Sequence, residues 1–390
     1  MPRAIYILAL AAFVVGTQSY VFSGLLADLA DDLGVSVGTA GQLLTAFAVT
    51  SAFAAPLVVS ALSSFERKKV LMVSLAGVGI VNLATAILPV FEAFMVARIV
   101  VAIVSAAVMP MAGAIGASLV APARQGQALG IILAGLTVAF IAGVPLGTVV
   151  GGAFGWRATF VFAAAVAFAV IPAIAFAIPT TPPEKQAPKA DWSVLRRPVV
   201  QLGLFLIGMS FIAAYPVIAF IGPIITELTG FEGAGIGAMQ TAIGIGSILG
   251  LIVGGFLADK RDFLPNMRVM YLGLAFALVL WTAAFAFGTA GSIATIAATA
   301  LIIVATSAAL IAPSPAIEKA LVQADPAQSS LTLAMNTSVI YLGQGIGAAL
   351  GGFVVGSFGF AALGVVGGAI ALVAFIVALL AGSSRDQGAR

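Results

Sequence analysis

Apolar segments of about twenty residues follow one another along almost the whole chain, and they constrain its fold more than any other feature. A helix needs roughly 20 apolar residues to cross the ~30 Å hydrocarbon layer of a membrane. Twelve such segments lie between residues 4 and 382, each ended by charges or turn residues. Because lipid offers the backbone no hydrogen-bonding partner, each should form a helix. The sequence predicts an all-α membrane protein with twelve transmembrane helices, numbered spans 1 to 12.

The composition excludes several classes of protein. The chain is 62% hydrophobic and 8% charged, whereas soluble domains average about 25% charged residues. It contains no cysteine and no histidine, which removes disulfides, thiolate nucleophiles, zinc sites and imidazole acid–base chemistry. Its basic residues form no stripe on a soluble domain, so nucleic acid is not an expected partner. We expect no metal, no cofactor and no enzymatic activity.

The Lys and Arg residues indicate the orientation. With the N-terminus in the cytoplasm, all 17 of them except Arg98 and Arg157 fall on the cytoplasmic side, as the positive-inside rule requires. This predicts a multi-pass protein of the bacterial inner (plasma) membrane with both termini cytoplasmic. The first apolar run is longer than that of a signal peptide and lacks a cleavage site, so we expect it to remain as span 1.

An internal repeat relates spans 5 and 11. The segment GLTVAFIAGVPLGTVVGG (135–152) aligns with MNTSVIYLGQGIGAALGG (335–352) at an offset of 200 residues. The glycines that coincide are Gly143, Gly147, Gly151 and Gly152 with Gly343, Gly347, Gly351 and Gly352. Small residues spaced in this way let helix backbones approach closely, and such repeats are typical of transporters with two moving halves. The runs GQGIG and GIGSILG follow no strand, so they do not indicate a nucleotide site.

A stretch rich in proline and charge, PTTPPEKQAPKADWSVLRRP (179–198), separates spans 6 and 7. Its composition is typical of a flexible linker. The predicted organisation is a six-helix bundle at 1–179, a cytoplasmic linker at 180–198 and a second, pseudo-symmetric six-helix bundle at 199–390.

Five segments carry a resemblance to a known family. They are GLTVAFIAGVPLGTVVGGAFGWRATF with Gly143, Pro145, Gly147, Gly151 and Gly152, GTQSYVFSGLL in span 1, AGQLLTAFAV in span 2, FIGPIITELTGF in span 7 and GGFLADK after span 8. From about residue 10 to 355 the chain resembles the major facilitator superfamily, most closely its drug:proton antiporter branch in the arabinose-efflux-permease-like group. The resemblance implies a monomer of two bundles that exports small molecules by alternating access, driven by proton influx.

The chain departs from that family at two places. The loop between spans 2 and 3 reads SALSSFERKK, without the family's Asp, although Asp259 is present in the second half, followed by Lys260 and Arg261. By resemblance, these three residues form a cytoplasmic gate in which the Asp caps a helix N-terminus. Ser19 stands where the group commonly has Glu in span 1, so the usual proton carrier is missing.

The charged residues leave the middle of the membrane without an acid, and Arg98 of span 4 is the base that lies deepest. Charges at this depth are usually functional. Arg98 either extends to the outer interface, or faces a cavity, where it binds a polar or anionic substrate group or pairs with Asp28. In the last case Asp28 becomes the candidate for proton coupling.

The few polar and aromatic side chains inside the spans are candidates for the lining of a substrate cavity. Amides are costly in lipid without a partner, so these side chains should face the bundle interior, as helix–helix hydrogen bonds or as substrate contacts. With Arg98, the candidates are Thr17, Ser19, Tyr20, Gln42, Tyr215, Phe220, Gln240, Asn336, Tyr341 and Gln344. Such a neutral lining suits a drug, a sugar, a nucleobase or a similar metabolite.

The predicted function is export of a small organic molecule by proton antiport, with the substrate, protons and the lipid bilayer as partners. Ser19 keeps a proton-independent facilitator or exchanger of the same fold open as the alternative. A non-transporting membrane receptor is a further alternative, although the chain has no extramembrane domain large enough to signal through.

Overall fold

The computed structural model describes residues 1–62, 64–121, 124–180 and 191–387, and every long element within them is an α-helix. The helices are Arg3–Tyr20, Leu26–Asp32, Val37–Leu62, Arg67–Ala86, Phe91–Ser105, Val108–Ser118, Gln125–Val138, Val144–Phe154, Trp156–Ala177, Pro198–Ile218, Ile221–Thr229, Ala234–Lys260, Phe263–Phe287, Ile293–Ile311, Ser314–Ala324, Ser329–Phe358 and Ala362–Gln387. Short 3₁₀ turns include Ser23–Leu25 and Trp192–Arg196, and Ala139–Gly143 forms a π-helical turn.

Twelve helical stretches in the described residues are long and apolar enough to cross a membrane, which confirms the predicted number. Spans 1 to 12 are Arg3–Asp32, Val37–Ala55, Arg67–Ala86, Phe91–Ser118, Gln125–Phe154, Trp156–Ala177, Pro198–Ile218, Ala234–Lys260, Phe263–Phe287, Ile293–Ala324, Leu331–Phe358 and Ala362–Ala381. The fold is therefore that of an all-α membrane protein.

Large apolar side chains cover the outside of the helices. Phe176 is 91% exposed, Phe287 is 88% exposed and Ile293 is 87% exposed. Water would make such exposure unfavourable, at roughly 25 cal/mol for each Å² of apolar surface. The hydrocarbon layer of a bilayer removes that penalty. The exposed apolar surface and the length of the helices therefore both indicate that the helices lie in a membrane.

Spans 1 and 7, the first of each predicted bundle, are broken at corresponding places. The first helix of span 1 ends at Tyr20, and its continuation begins at Leu26. The helix of span 7 ends at Ile218, and a second helix begins at Ile221. Pro216 explains the second break, because its ring removes a backbone donor within the last turn. No proline lies near the first break, so its cause is tertiary.

Spans 4 and 10 are also broken at corresponding places. Span 4 is interrupted after Ser105 and span 10 after Ile311. Pro313 lies within the second interruption, where proline is tolerated at the start of the following helix. Broken helices of this kind commonly border the binding sites of transporters.

The chain forms two compact units. Unit 1 contains Met1–Pro188 and Phe231–Thr241, and unit 2 contains Lys189–Gly230 and Ala242–Arg390. The beginning of span 8 thus packs with unit 1, although the predicted second bundle includes it. Residues 181–190 of the predicted linker lie outside the described residues, so the boundaries 1–179, 180–198 and 199–390 remain a prediction.

The described end of the predicted linker is held to unit 2. Asp191 accepts a hydrogen bond from the backbone nitrogen of Ser193 at 2.9 Å, which begins the turn Trp192–Arg196. Arg197 then forms a 2.8 Å salt bridge with Asp325 and donates to the carbonyl oxygen of Ala324. These contacts give residues 191–197 a defined path that composition alone does not predict.

Candidate functional site

Span 1 breaks at the place where Arg98 of span 4 reaches it. The first helix of span 1 ends at Tyr20, and the last four carbonyl groups of any helix lack helical donors. Arg98 donates to two of them, the carbonyl oxygens of Gln18 at 3.3 Å and of Ser19 at 2.9 Å. A cation at a helix C-terminus also interacts favourably with the helix dipole. We conclude that Arg98 stabilises the break.

The guanidinium of Arg98 lies between aromatic rings rather than against a carboxylate. Its central carbon is 4.9 Å from the ring centre of Phe22 and 4.7 Å from that of Phe47, and the residue is 1% exposed. Aromatic faces attract a cation and replace part of its lost hydration. The side chain therefore points into unit 1.

The pairing of Arg98 with Asp28 that the sequence suggested is absent from the described part of the chain. Asp28 lies beyond the break in the segment Leu26–Asp32, and its side chain is exposed. The carbonyl groups released at the break take the two terminal nitrogens of Arg98 instead. The proposed role of Asp28 in proton coupling thus loses its suggested partner and remains a prediction.

Several buried polar atoms beside the break make no hydrogen bond within the described residues. They are the hydroxyl oxygen of Thr17, the side-chain oxygen Oε1 of Gln18 and Nε of Arg98. The hydroxyl of Ser19, by contrast, donates to the carbonyl oxygen of Val15 at 2.6 Å. Because buried polar atoms nearly always have partners, Thr17, Gln18 and Arg98 offer two acceptors and one donor to a bound molecule.

Ser23, Thr148 and Gln240 form a second buried polar cluster in unit 1. The Thr148 hydroxyl donates to Oε1 of Gln240 at 2.7 Å, and Nε2 of Gln240 donates to the Ser23 hydroxyl at 3.3 Å. A Cβ atom at Gly24 would overlap Thr148, so this contact requires glycine there. The amide of Gln240, predicted to line the cavity, therefore makes hydrogen bonds between spans 1, 5 and 8.

Replacing Thr148 by valine should lower the melting temperature, because the isosteric side chain leaves Oε1 of Gln240 without its donor. Hydrogen bonds between transmembrane helices average about 0.6 kcal/mol, and a buried acceptor left unsatisfied costs about 1–3 kcal/mol. Thermal unfolding in detergent measures the effect. The matched control is Thr241→Val, since the Thr241 hydroxyl bonds to Ala238 of its own helix. Equal melting temperatures for the two variants would refute the importance of the cluster.

Two other predicted residues of unit 1 are Tyr20 and Gln42. The ring of Tyr20 packs against Phe140 with ring centres 5.4 Å apart. The side chain of Gln42 is half-buried, and its amide nitrogen lies 3.5 Å from the carbonyl oxygen of Gly38, one turn earlier in the same helix. The structure therefore does not bring Gln42 to the break in span 1 through a hydrogen bond.

In unit 2, aromatic rings surround the break in span 7. The ring centre of Tyr215 is 5.8 Å from that of Phe211, and the ring centre of Phe220 is 6.5 Å from that of Phe360. Both predicted residues, Tyr215 and Phe220, are buried. The predicted cavity residues of unit 2 thus include two that flank a helix break.

The other three predicted residues of unit 2, Asn336, Tyr341 and Gln344, lie along span 11. Asn336 and Gln344 are buried. The side-chain oxygen of Asn336 accepts no hydrogen bond within the described residues. Asn336 therefore offers an acceptor in unit 2, as Thr17 does in unit 1.

The repeated glycines occupy corresponding helix pairs in the two units. At the first three positions of the repeat in each span, a Cβ atom would overlap the facing helix. In span 5, Gly143, Gly147 and Gly151 face Thr17, Val21 and Leu25 of span 1. In span 11, Gly343, Gly347 and Gly351 face Gly208, Tyr215 and Pro216 of span 7. The repeat thus places each broken span against a glycine-lined helix.

Pro145 and Gly152 have further roles in span 5. Pro145 follows the π-helical turn Ala139–Gly143 and lacks the backbone donor of a regular helix, which accounts for the local change in hydrogen bonding. A Cβ atom at Gly152 would overlap the backbone of Gly233. Span 5 therefore packs closely on the beginning of span 8 within unit 1.

Asp259 pairs with a lysine rather than with a helix N-terminus. Its carboxylate lies 3.0 Å from Nζ of Lys319, which also donates to the carbonyl oxygen of Ala258 at 3.0 Å. Lys319 lies in the middle of the helix Ser314–Ala324, so among the described residues Asp259 does not show the capping geometry expected from the resemblance. The free carbonyl groups at the end of span 8 favour the ammonium there.

Sequence reasoning missed a second glycine seam, between spans 8 and 10. A Cβ atom at each seam position would overlap a span 10 carbonyl oxygen: Gly246 that of Val304, Gly250 that of Ala308 and Gly254 that of Ala312. The signal was present in GSILGLIVG (246–254), where glycine recurs at every fourth position. Such spacing is a known mark of close helix packing.

Comparisons with known proteins agree with this architecture. The chain is 35% identical to a chloramphenicol resistance protein of Streptomyces lividans over 67% of this chain and 68% of that protein. It is 27% identical to the purine ribonucleoside efflux pump NepI of Salmonella paratyphi B over 96% of this chain and 93% of the pump.

A crystal structure of a bacterial homologue of the human lysosomal transporter Spinster, inward-facing and unoccupied, superposes with a TM-score of 0.79 and 17% identity, covering 98% of this chain and 95% of that one. This likeness shows the twelve-helix fold of two six-helix bundles. The sequence profile described as Major Facilitator Superfamily matches residues 8–321. The chain belongs to the Major Facilitator Superfamily of membrane transporters.

Proposed function

We propose that this transporter exports a small organic molecule that is uncharged or weakly polar, by alternating access and in exchange for protons. The observation that carries the proposal is the break in span 1, where buried Thr17 and Gln18 have acceptor atoms that no described residue hydrogen-bonds. Two relatives support the direction, since one is named for chloramphenicol resistance and one for purine ribonucleoside efflux.

The chemistry beside the break favours a solute with hydrogen-bond donors. Thr17 and Gln18 present oxygen acceptors, and Arg98 presents one further N–H. The rings of Phe22 and Phe47 already occupy the faces of the guanidinium, which disfavours a bulky anion on Arg98. Both chloramphenicol and purine ribonucleosides contain hydroxyl donors as well as a flat aromatic group, and both are suitable probes.

Proton coupling is the finer part of the proposal, and we assign it to Asp28. The group's usual acid in span 1 is replaced by Ser19, whose hydroxyl bonds to Val15. Asp28 is the next acid along span 1. Its carboxylate is exposed and lies near those of Asp31 and Glu232, so it can exchange protons with solvent. A facilitator or exchanger that does not use protons is the competing function, and it rests on Ser19.

We further propose that the transporter works as a monomer in the bacterial inner membrane with both termini in the cytoplasm. The asymmetric distribution of Lys and Arg supports this orientation. Because the chain has no cysteine, single cysteines introduced at Arg3 and at Gly235 can be labelled separately with an impermeant maleimide. Labelling of Gly235→Cys but not of Arg3→Cys in intact cells is the expected result.

Uptake into inverted membrane vesicles, which corresponds to export from the cell, tests proton coupling. With chloramphenicol, a purine ribonucleoside and tetraphenylphosphonium as probes, we expect one to accumulate when a pH gradient is imposed and an uncoupler to abolish the accumulation. The Asp28→Asn variant should retain equilibrative flux but lose accumulation. Asp31→Asn, which changes a neighbouring acid, serves as the control. Accumulation by Asp28→Asn at the wild-type level would reject Asp28, and accumulation that resists the uncoupler would favour the exchanger.

A further inference from the structure

A cavity of about 680 Å³ lies in unit 2, and its lining includes none of the residues at the break in span 7. It is formed where spans 8, 9 and 10 reach the predicted cytoplasmic side of the membrane. Its lining consists of residues 258–263 with Pro265, Ala316, Lys319, Ala320 and Gln323. Ligand sites generally enclose about 300–1,000 Å³, so this cavity is large enough for a small headgroup.

The lining carries more positive than negative charge. Lys260, Arg261 and Lys319 are its bases, and Asp259 and Asp262 are its acids. The 3.0 Å salt bridge with Lys319 occupies Asp259. Within the described residues, Lys260 and Arg261 form no salt bridge with a carboxylate. Two adjacent cations are therefore free to bind an anion at the mouth of the cavity.

The cavity lies next to an exposed apolar face of span 8. The ammonium of Lys260 lies 4.2 Å above the ring of Phe256, which is 57% exposed one turn deeper in span 8. Ile252 and Val253 are exposed further along the same helix. A molecule held by Lys260 and Arg261 thus has its anionic group at the membrane surface and an apolar wall beneath it.

We infer that this cavity binds an anionic phospholipid, with Lys260 and Arg261 contacting its phosphate and the exposed apolar face of span 8 contacting its acyl chains. Basic pockets between transmembrane helices on the cytoplasmic side are suited to such headgroups. A soluble phosphate ester offers the same charge but leaves Phe256 and its neighbours without a partner. Asp262 limits the affinity, because its carboxylate repels the phosphate.

Native mass spectrometry of the purified full-length protein in detergent tests this inference. The probes are dioleoyl phosphatidylglycerol, dioleoyl phosphatidylcholine and glycerol 1-phosphate. We expect the protein to retain phosphatidylglycerol in preference to the other two. In the double variant Lys260→Gln with Arg261→Gln, affinity for phosphatidylglycerol should fall about tenfold or more. Each Lys or Arg near an anionic lipid headgroup strengthens its binding, and the variant removes two of them.

The control variant removes the same number of charges elsewhere. Lys69→Gln with Arg124→Gln changes two exposed bases at predicted cytoplasmic ends in unit 1, outside the cavity. It should retain phosphatidylglycerol as the wild type does. Equal loss in both double variants, or equal retention of phosphatidylcholine, would overturn the inference. Binding of glycerol 1-phosphate as tight as that of the lipid would assign the cavity to a soluble phosphate ester instead. None of these readouts requires transport.

Discussion

Replacing Arg98 by methionine should reduce transport by about a hundredfold while leaving a folded protein. The substitution removes the donors of the Gln18 and Ser19 carbonyl oxygens at the break in span 1. Leaving two buried acceptors unsatisfied costs about 3 kcal/mol or more. This corresponds to about a hundredfold decrease in the population of conformations that contain the break in span 1. Removing a buried cation also removes its dehydration penalty. The melting temperature should therefore change less than the transport rate.

Vesicle efflux with the best probe, together with thermal unfolding, distinguishes this result from simple misfolding. Arg98→Lys retains the charge but places a single nitrogen near two acceptors, and we expect partial activity at most. The control is Arg157→Gln. Arg157 forms an exposed salt bridge with Asp32, and such pairs contribute about 0–1 kcal/mol. Transport by Arg98→Met within a few-fold of the wild type would show that the break does not depend on this arginine.

Replacing Gly254 by alanine should destabilise unit 2 strongly, whereas the same change at the next residue should not. A Cβ atom at Gly254 would overlap the carbonyl oxygen of Ala312 in span 10. The overlap involves backbone atoms, so the two helices must separate. Overpacking of this kind costs about 1–3 kcal/mol, and we expect the melting temperature to fall by about 3–10 °C.

Gly255→Ala is the matched control, because a Cβ atom there would meet nothing within 4 Å. Both residues lie at the same depth in span 8, and both substitutions increase helix propensity by up to about 1 kcal/mol. The melting temperature of Gly255→Ala should equal or exceed that of the wild type. If the two variants melt together, the close approach of spans 8 and 10 does not limit stability.

The twelve spans could be predicted from the sequence because lipid permits only one way of satisfying the backbone of a long apolar segment. The partners of buried polar groups could not. The sequence leaves open whether Arg98 extends to the outer interface, binds the substrate or pairs with Asp28. In the structure its acceptors are backbone oxygens at a break that no proline marks. Side-chain chemistry contains no signal for such a break, which depends on a contact between spans 1 and 4.

Two further contacts illustrate the same limit. The amide of Gln240 was expected to face the protein interior, but the choice of Thr148 as the donor to its side-chain oxygen depends on how spans 5 and 8 are rotated. The glycine spacing in 246–254 was visible in the sequence, and only the structure shows that span 10 is the helix it meets. The sequence pattern predicts that a helix face is buried, whereas the packing of the spans determines which other helix that face contacts.

The glycine seam between spans 8 and 10 has a mechanical consequence. Its last contact, from Gly254, falls on Ala312 directly before Pro313, where span 10 is interrupted. Along the seam, from Gly246 to Gly254, spans 8 and 10 should move as one rigid pair of helices. Any bending of span 10 should therefore occur in the short segment Ser314–Ala324. Pairs of spin labels that join the packed parts of spans 8 and 10 should give one narrow distance distribution. Pairs with one label in Ser314–Ala324 should give a broad distribution.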